Sequence, residues 1–248
     1  MKKEEKKDQA PLLSWSEKGS GNGVVVAANG TQEWLLKWWW DHYSKKSDFP
    51  VTFFDLGMSK SARNFCESKG SVRSFTFPKG MIKTKEAISQ KNIESWENTY
   101  PGDVWVGREQ WFTKPFILLK SPYETTVWMD LDCEVLKPID PLFDYANGGD
   151  GFSILQFHKD NANYYNTGVI VAKHGSKVPL KWAEQTQKRN EHHFGDETVL
   201  MEMLEHENLK ITPHPLPYNC PTILPMHEDA VIRHYIGAQG KIQILRNL

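Results

Sequence analysis

Two aspartates, Asp130 and Asp132, directly follow the segment Thr125–Met129, which is rich in β-branched and apolar residues. That composition predicts a buried strand ending at the two carboxylates. In an extended chain, side chains at i and i+2 share a face, so the carboxylates repel each other unless a cation lies between them. Mg²⁺ and Mn²⁺ are hard cations that bind such oxygens together with substrate phosphates. The alternative is a solvated turn whose aspartates cap the next backbone segment.

The segments around this pair alternate between strand and helix patterns. Strands are predicted at 24–28, 51–56, 72–77, 125–129, 152–157, 168–172 and 230–236. Helices are predicted at 32–45, 59–69, 103–120, 178–190 and 196–207. Thr31 is the predicted cap of the first helix, and segment 79–100 fits either helix or loop. The alternating order predicts an α/β fold with parallel strands, in which ligands bind at the carboxyl ends of the strands.

This pattern fits one domain over residues 21–248, since no interdomain linker interrupts it. Residues 1–20 are charged and then rich in Ser and Gly, so they predict a flexible N-terminal arm. The Pro- and His-rich stretch 211–229 predicts a loop that crosses one face of the domain.

Charge and cysteine content narrow the range of partners. Lys and Arg total 30 and Asp and Glu total 31, which gives a formal net charge of −1 and no electrostatic support for nucleic acid binding. The three cysteines are far apart and odd in number, which argues against a disulfide framework or a structural zinc site. No secretory signal and no run of transmembrane length is visible, so we expect a cytoplasmic protein.

Aromatic residues make up 12% of the chain and include ten tryptophans. Most of them, Trp111 among them, are expected in the core, because large aromatic side chains are usually buried. Trp40 and Trp128 are the two positions at which a tryptophan could face a ligand instead of the core.

Four segments resemble, in the same order, the GT-A-fold glycosyltransferases that carry a DxD motif. The segments are 126–143 with its Asp-x-Asp and Pro-Leu-Phe tail, 164–170 (YYNTGVI), 195–200 (GDETVL) and 234–237 (HYIG). The resemblance is closest to retaining glycosyltransferase family 8, which includes lipopolysaccharide galactosyl- and glucosyltransferases and glycogenin. It spans about residues 23–241 and implies a GT-A fold with a Rossmann-like mixed central sheet flanked by helices.

The resemblance implies a metal site at Asp130, Asp132 and His234. In the family these positions bind Mn²⁺ or Mg²⁺, which bridges the diphosphate of a nucleotide-sugar donor, here expected to be a UDP-sugar. The chemistry agrees with this role, because departure of the nucleoside diphosphate leaves negative charge that a Lewis acid neutralises.

Other matched positions would bind the donor or take part in catalysis. Lys114 would contact donor phosphate or sugar, a role for which Arg108 competes. Asn166 would hydrogen-bond the hydroxyls of the donor sugar, and Asp196 stands at the carboxylate implicated in sugar binding or catalysis. Glu197 stands where the family has Gln. A carboxylate there could stabilise an ion pair, act as a nucleophile or change the choice of substrate.

Further donor-side candidates come from the same resemblance and are Ala27, Ala28, Asn29, Asp55, Leu131, Gly237 and Lys241. The first three match the turn that holds the uridine, and Asp55 ends the second strand. Lys241 stands one position later than the family's Lys, and no Pro-Trp follows it in this sequence. Lys241 would therefore reach the diphosphate only if the loop that precedes it bulges.

These residues imply a metal-dependent glycosyltransferase that moves a sugar from a nucleotide-diphosphate donor to an acceptor hydroxyl with retention of configuration. The acceptor would be a glycan, a lipid-linked sugar or a protein, and a lipid-linked acceptor would place the protein at a membrane surface. Two alternatives stay open: an inverting or mannosyl-type GT-A transferase, and a non-catalytic module that binds sugar nucleotides or glycans.

Overall fold

The computed structural model describes residues 12–17, 19–100, 104–159 and 162–248. The strands are β1 (Asn22–Ala28), β2 (Val51–Asp55), β3 (Ser71–Ser74), β4 (Thr125–Met129), β5 (Cys133–Val135), β6 (Phe152–Lys159), β7 (Ala162–Lys173), β8 (Cys220–Pro221) and β9 (Ile232–His234). The α-helices are α1 (Leu35–Tyr43), α2 (Lys60–Glu67), α3 (Gln90–Thr99), α4 (Val104–Trp111), α5 (Lys114–Leu119), α6 (Lys177–Arg189), α7 (Asp196–His206) and α8 (Gly237–Arg246).

The central sheet has six strands in the order β3-β2-β1-β4-β7-β6. The first four strands are parallel, as the alternating sequence pattern predicts. β7 runs antiparallel to both of its neighbours, β4 and β6. The fold is therefore α/β with a mixed central sheet, and its parallel part ends at β4, the strand that precedes the two aspartates.

Apolar residues cover both faces of this sheet. Along β1 the side chains of Val24 and Val26 enter one core and that of Val25 enters the other, because successive residues of a strand point to opposite faces. Helix α1 packs on the first face through Trp39, and α6 packs on the second through Trp182. Burial of a large side chain contributes roughly 1.5–3 kcal/mol, so the two layers hold β1 and β4 rigidly in the middle of the molecule.

A second, three-stranded sheet has the order β5-β9-β8. The predicted strand at 230–236 is present as β9 and belongs to this small sheet. β9 runs antiparallel to β5, and the register places His234 opposite Cys133. The small sheet thereby brings the C-terminal part of the chain next to the end of β4.

Helix α1 begins at Leu35, three residues later than the pattern predicts, and Thr31 does not cap it. The side-chain oxygen of Asn29 accepts hydrogen bonds from the backbone N–H groups of Thr31 (3.0 Å) and Gln32 (3.2 Å) and from the Thr31 hydroxyl (2.7 Å). These bonds stabilise a turn where the sequence pattern predicts helix, because Asn and Thr side chains compete with helical backbone bonding.

Segments with weak patterns also contain helices. The stretch 79–100 includes α3, and the predicted helix at 103–120 is divided into α4 and α5, with Pro115 in the first turn of α5. Proline suits that position because it has no N–H to leave unbonded. Helix α8, which begins at Gly237 with its positive φ of 68°, has no counterpart in the sequence prediction. None of the helices within the described ranges is long and apolar enough to cross a bilayer.

Part of the predicted N-terminal arm lies outside the described residues, namely 1–11 and 18. Residues 12–17 contact the domain. The indole of Trp15 donates to the carbonyl oxygen of Ser176 (3.2 Å), and the N–H of Ser16 donates to that of Leu119 (2.7 Å).

Candidate active site

A cavity of about 260 Å³ opens where the carboxyl ends of β1 and β4 meet the first turns of α7 and α8. This is the position at which open α/β sheets bind ligands. The sequence-predicted site residues that line it are Ala27, Lys114, Asp130, Leu131, Asp132, Asn166, Asp196, Glu197, His234, Gly237 and Lys241.

Three predicted donor-side residues, Ala28, Asn29 and Asp55, do not line this cavity. Ala28 is fully buried in the core, and Asn29 is engaged in the turn before α1. The Asp55 carboxylate is 2.7 Å from Arg63 and also accepts the N–H of Met58. Although burial acts to raise the pKa of Asp55, these hydrogen bonds outweigh it and lower the pKa. Its environment is that of a structural ion pair.

Arg108, the competitor of Lys114, also lies outside the cavity. It is 2% exposed, and its guanidinium donates to the backbone carbonyl oxygens of Lys83, Asn190 and His193. Burial lowers the pKa of Arg108 to about 10, so the side chain stays charged at neutral pH. Arg108 therefore ties the segment at Lys83 to the segment 190–193, and of the two competing residues Lys114 is the one that lines the cavity.

Asp130 and Asp132 lie in a turn and not in an extended segment. The N–H of Cys133 donates to the carbonyl oxygen of Asp130 (3.1 Å), which closes the turn. The backbone of each aspartate is bonded to a neighbouring segment. The N–H of Asp130 donates to the carbonyl oxygen of Gly168 on β7, and the carbonyl oxygen of Asp132 accepts from the N–H of Tyr235, just after β9 (both 2.8 Å). The side chains do not cap the turn. They bond to Trp128, two lysines and His234.

Three possible metal ligands converge beyond this turn. Nε2 of His234 is 3.3 Å from Oδ1 of Asp132 and 3.9 Å from Oδ2 of Asp130. The indole N–H of Trp128 holds the other oxygen of Asp130 at 2.8 Å. Two carboxylate oxygens and an imidazole nitrogen form a donor set that suits Mn²⁺ or Mg²⁺, so the residues present fit such an ion.

The hydrogen bonds of His234 direct one ring nitrogen toward this point. Nδ1 lies 3.0 Å from the side-chain oxygens of both Asn166 and Asn219, so Nδ1 carries the proton and donates it. The Asn219 amide nitrogen donates to the Asn166 side-chain oxygen (2.8 Å), which fixes the orientation of both amides. A neutral imidazole protonated at Nδ1 presents the lone pair of Nε2 to a cation.

Cys133 belongs to the same cluster, because Asp132, Cys133 and His234 each bring a possible ligand atom within 4.8 Å of the others. Burial raises the pKa of the Cys133 thiol well above its ordinary value, and the nearby aspartates raise it further. The thiol donates to the carbonyl oxygen of Gly168 (3.8 Å). A protonated thiol is a poor ligand for a hard cation, so Cys133 packs behind the site.

Two lysines neutralise the aspartates. Lys114 is buried, and its Nζ lies 3.1 Å from Asp130 and 3.4 Å from Asp196. Burial alone would lower the pKa of Lys114, but the two carboxylates outweigh it and raise the pKa. Lys241, from α8, donates to Asp132 at 2.7 Å. Burial acts to raise the pKa of Asp132, but Lys241 and then His234 hold it far below its usual range.

The first turn of α7 presents two further carboxylates to the cavity, Asp196 and Glu197. Burial raises the pKa of Asp196, and the attraction of Lys114 does not cancel this effect. Burial also raises the pKa of Glu197 to about 8, and the charge of Asp196 adds to the shift. A glutamic acid protonated at neutral pH has a hydrogen-bond donor where a glutamine has its amide N–H groups.

Sequence reasoning missed several residues of the site. Asn219 orients His234, but it lies in a Pro-rich segment with no recognised motif. Thr167 receives a hydrogen bond from Lys114 through its hydroxyl (3.0 Å), and only its position beside Asn166 could have indicated it. Trp111, expected in the core, lines the cavity together with Tyr100 and Phe194. The sequence does not distinguish a cavity-lining aromatic from a core aromatic.

The two tryptophans expected to face a ligand differ in position. Trp128 lines the cavity, although it is only 4% exposed, and it bonds to Asp130. Trp40 packs against the core, and the Lys69 ammonium lies over its ring.

Solved structures with the same fold agree with the architecture. The glycosyltransferase GlyE of Streptococcus pneumoniae aligns with 89% of this chain and 55% of its own, at 13% identity and a TM-score of 0.60. The galactosyltransferase LgtC, solved with donor and acceptor sugar analogues, aligns over 88% of both chains at 12% identity and a TM-score of 0.57. Mouse xyloside xylosyltransferase 1 aligns with 86% of this chain and 97% of its own, at 12% identity and a TM-score of 0.52.

The fold is that of the GT-A glycosyltransferases. The predicted fold class is therefore confirmed, since the mixed central sheet and its flanking helices match these structures. No protein-family model matches the sequence, and no curated protein matches it. At such low identity the likeness establishes the GT-A fold, and the function must be argued from the site itself.

Gly168 offers a test of the His234 position. A Cβ at residue 168 would lie 2.1 Å from Cε1 of His234, so Gly168→Ala is expected to displace the imidazole from the aspartates. We expect Mn²⁺ affinity, measured by isothermal titration calorimetry, to fall about tenfold or more. In the control Gly30→Ala, the new Cβ would meet only Gly57 at 3.5 Å, and affinity should not change. A folded Gly168→Ala protein with native affinity would exclude His234 as a ligand.

Glu197 offers a test of the cavity's electrostatics. The folded protein retains the Glu197 proton up to about pH 8, whereas the unfolded chain loses it near the ordinary pKa of 4.5. Stability from this group is therefore greatest at low pH and declines as pH rises through that interval. Glu197→Gln lacks the titration, so its melting temperature should rise relative to the native protein between about pH 5 and pH 8. Glu205→Gln, exposed on the same helix, is the control. If the melting temperatures of the native and Glu197→Gln proteins changed in parallel between pH 5 and pH 8, the raised pKa of Glu197 would be contradicted.

Proposed function

We propose that this protein is a metal-dependent glycosyltransferase that moves a sugar from a nucleotide-diphosphate donor, expected to be a UDP-sugar, to an acceptor hydroxyl. The observation that carries the proposal is the convergence of Asp130, Asp132 and Nε2 of His234 at the carboxyl end of β4. The GT-A fold supports it, because proteins with this fold include transferases that act on sugars.

Asp130, Asp132 and His234 would hold the divalent cation. When bound, the cation would act as a Lewis acid that neutralises charge on the donor diphosphate. The residues around it keep the ligands ready. Asn219 and Asn166 hold His234 in the tautomer that binds metal, and the low pKa of Asp132 keeps that carboxylate ionised.

Lys114 and Lys241 supply positive charge that the donor also needs. Both line the cavity, and each is now bonded to one of the two aspartates. Their ammonium groups would bind the diphosphate oxygens of the donor. Departure of the nucleoside diphosphate would then occur toward two ammonium groups, and fixed positive charge of this kind stabilises a developing anion.

The transfer step follows the retaining chemistry implied by the resemblance. The bond between the anomeric carbon and the diphosphate oxygen breaks, and its electron pair leaves with the diphosphate. The acceptor oxygen forms the new bond to the anomeric carbon from the same face, and its proton passes to the departing phosphate oxygen. This route needs no separate general base.

Asp196, Asn166 and Glu197 would bind the donor sugar. The oxygen of Asn166 is already used to position His234, so its amide nitrogen is the group that would donate to a sugar hydroxyl. Asp196 would accept from sugar hydroxyls beside Lys114. The pKa of Glu197 is raised to about 8, so its carboxyl group would be protonated and would donate a hydrogen bond as the family's Gln does. The replacement of Gln by Glu at this position is therefore chemically small.

A panel of UDP- and GDP-sugars, screened by thermal shift with Mn²⁺, tests this function. We expect a UDP-sugar to raise the melting temperature only when Mn²⁺ is present, because a ligand that binds the folded state stabilises it by mass action. Asp130→Asn should abolish this metal-dependent shift while the protein stays folded, because an Asn oxygen can still accept the indole N–H of Trp128. Asp144→Asn, exposed and outside the cavity, is the matched control.

The outcomes separate the alternatives. Failure of every nucleotide sugar to bind or to hydrolyse with Mn²⁺ would exclude a transferase. Binding without hydrolysis or transfer would indicate a non-catalytic sugar-nucleotide module. A product of inverted anomeric configuration would indicate an inverting transferase and remove the retaining step.

A further inference from the structure

Three half-buried aromatic side chains line one part of the cavity and form an aromatic wall: Tyr100, Trp111 and Phe194. Their ring centroids lie 5.2 Å (Tyr100–Trp111), 5.5 Å (Trp111–Phe194) and 5.9 Å (Tyr100–Phe194) apart. The rings therefore form one continuous apolar patch in a cavity that is otherwise lined mostly by polar and charged residues. The proposed donor chemistry uses none of the three.

The wall is supported from behind. Phe194 packs edge-on against Trp96, which belongs to a small buried cluster with Ile88 and Ile93. Gly107 makes room for the indole of Trp111, because a Cβ at residue 107 would lie 2.7 Å from Cζ2 of that ring. The rings are held in place while they remain partly open to the cavity. Open aromatic surface in a concave site is typical of ligand pockets.

The wall lies beside the residues assigned to the donor sugar. Phe194 is followed by Gly195 and then by Asp196, where α7 begins. Trp111 approaches the same point, since a Cβ at Gly195 would lie 3.4 Å from Cε3 of its ring. The segment matched to the uridine lies instead at the end of β1, where Ala27 lines the cavity. A ligand on the wall would therefore meet the anomeric end of the donor and not its base.

The chemistry of the wall fits a pyranose ring. A pyranose has one face of C–H groups, which packs on aromatic rings, and a rim of hydroxyls, which hydrogen-bond to polar side chains such as those that line the rest of the cavity. The three rings of the wall carry no charge that would select an ionic ligand.

We propose that the aromatic wall is the acceptor subsite and that the acceptor is a glycan, bound through a pyranose stacked on Trp111 and Phe194. This assignment rests on the proposed glycosyltransferase function. It also names the acceptor class, because the stacked pyranose would present a hydroxyl to the anomeric carbon beside Asp196 and Glu197.

Saturation-transfer difference NMR on the native protein tests the assignment without knowledge of the donor sugar. The sample contains Mg²⁺, UDP and a panel of methyl α- and β-pyranosides of glucose, galactose, mannose and N-acetylglucosamine. Bound pyranosides should receive saturation most strongly at the C–H protons of one ring face, as stacking requires.

Variants then locate the contact. Phe194→Leu keeps apolar bulk but loses the flat ring, and it should weaken the glycoside signal about fivefold. Phe194→Tyr keeps the ring and should preserve the signal. Trp34→Leu alters an aromatic that is 37% exposed and outside the cavity, so it should have no effect. UDP affinity with Mg²⁺ should stay within about twofold of native in all three, since no donor contact changes.

Each other outcome overturns the assignment in a distinct way. UDP binding without any glycoside signal would exclude a pyranose acceptor and leave the proposed function intact. Loss of UDP affinity in Phe194→Leu would assign the wall to the nucleobase. Absence of UDP binding to the native protein would overturn the proposed function, and the acceptor subsite with it.

Discussion

The organisation of this site follows from the repulsion between two carboxylates in one short turn. Asp130 and Asp132 are both at least partly buried, where like charges interact more strongly than in water. Each is paired with a lysine, Asp130 with Lys114 and Asp132 with Lys241, and His234 lies within 4 Å of both. These partners come from α5, α8 and β9, so three separate parts of the chain fold around the turn and offset the two negative charges.

This requirement explains the small sheet. β9 carries His234 and lies against β5, which begins one residue after Asp132, so the backbone register itself sets the distance between imidazole and carboxylate. Asn219, just before β8, and Asn166, on β7, then fix the imidazole tautomer. The site is therefore preorganised by hydrogen bonds from both sheets. Such support is what keeps a metal ligand in a productive orientation.

The sequence predicted the features that depend on local pattern. The parallel strands β1 to β3 and the aspartates after β4 follow from spacing and residue type. It failed where tertiary contacts decide the outcome. Asn29 turns the chain before α1, and the sequence pattern did not predict α8. Asn219 and the aromatic wall gained their roles only through folding, because their partners are distant in sequence and no local signal separates them from loop or core residues.

In the proposed function, Asp130, Asp132 and Nε2 of His234 would bind one divalent cation together with a nucleoside diphosphate. Pulsed electron paramagnetic resonance of the protein with Mn²⁺ and UDP measures this directly, through the nuclei coupled to the metal. We expect coupling to one imidazole ¹⁴N, absent in His234→Gln, together with coupling to ³¹P of the diphosphate. Bound Mn²⁺ without imidazole coupling, or without ³¹P coupling when UDP is present, would contradict it.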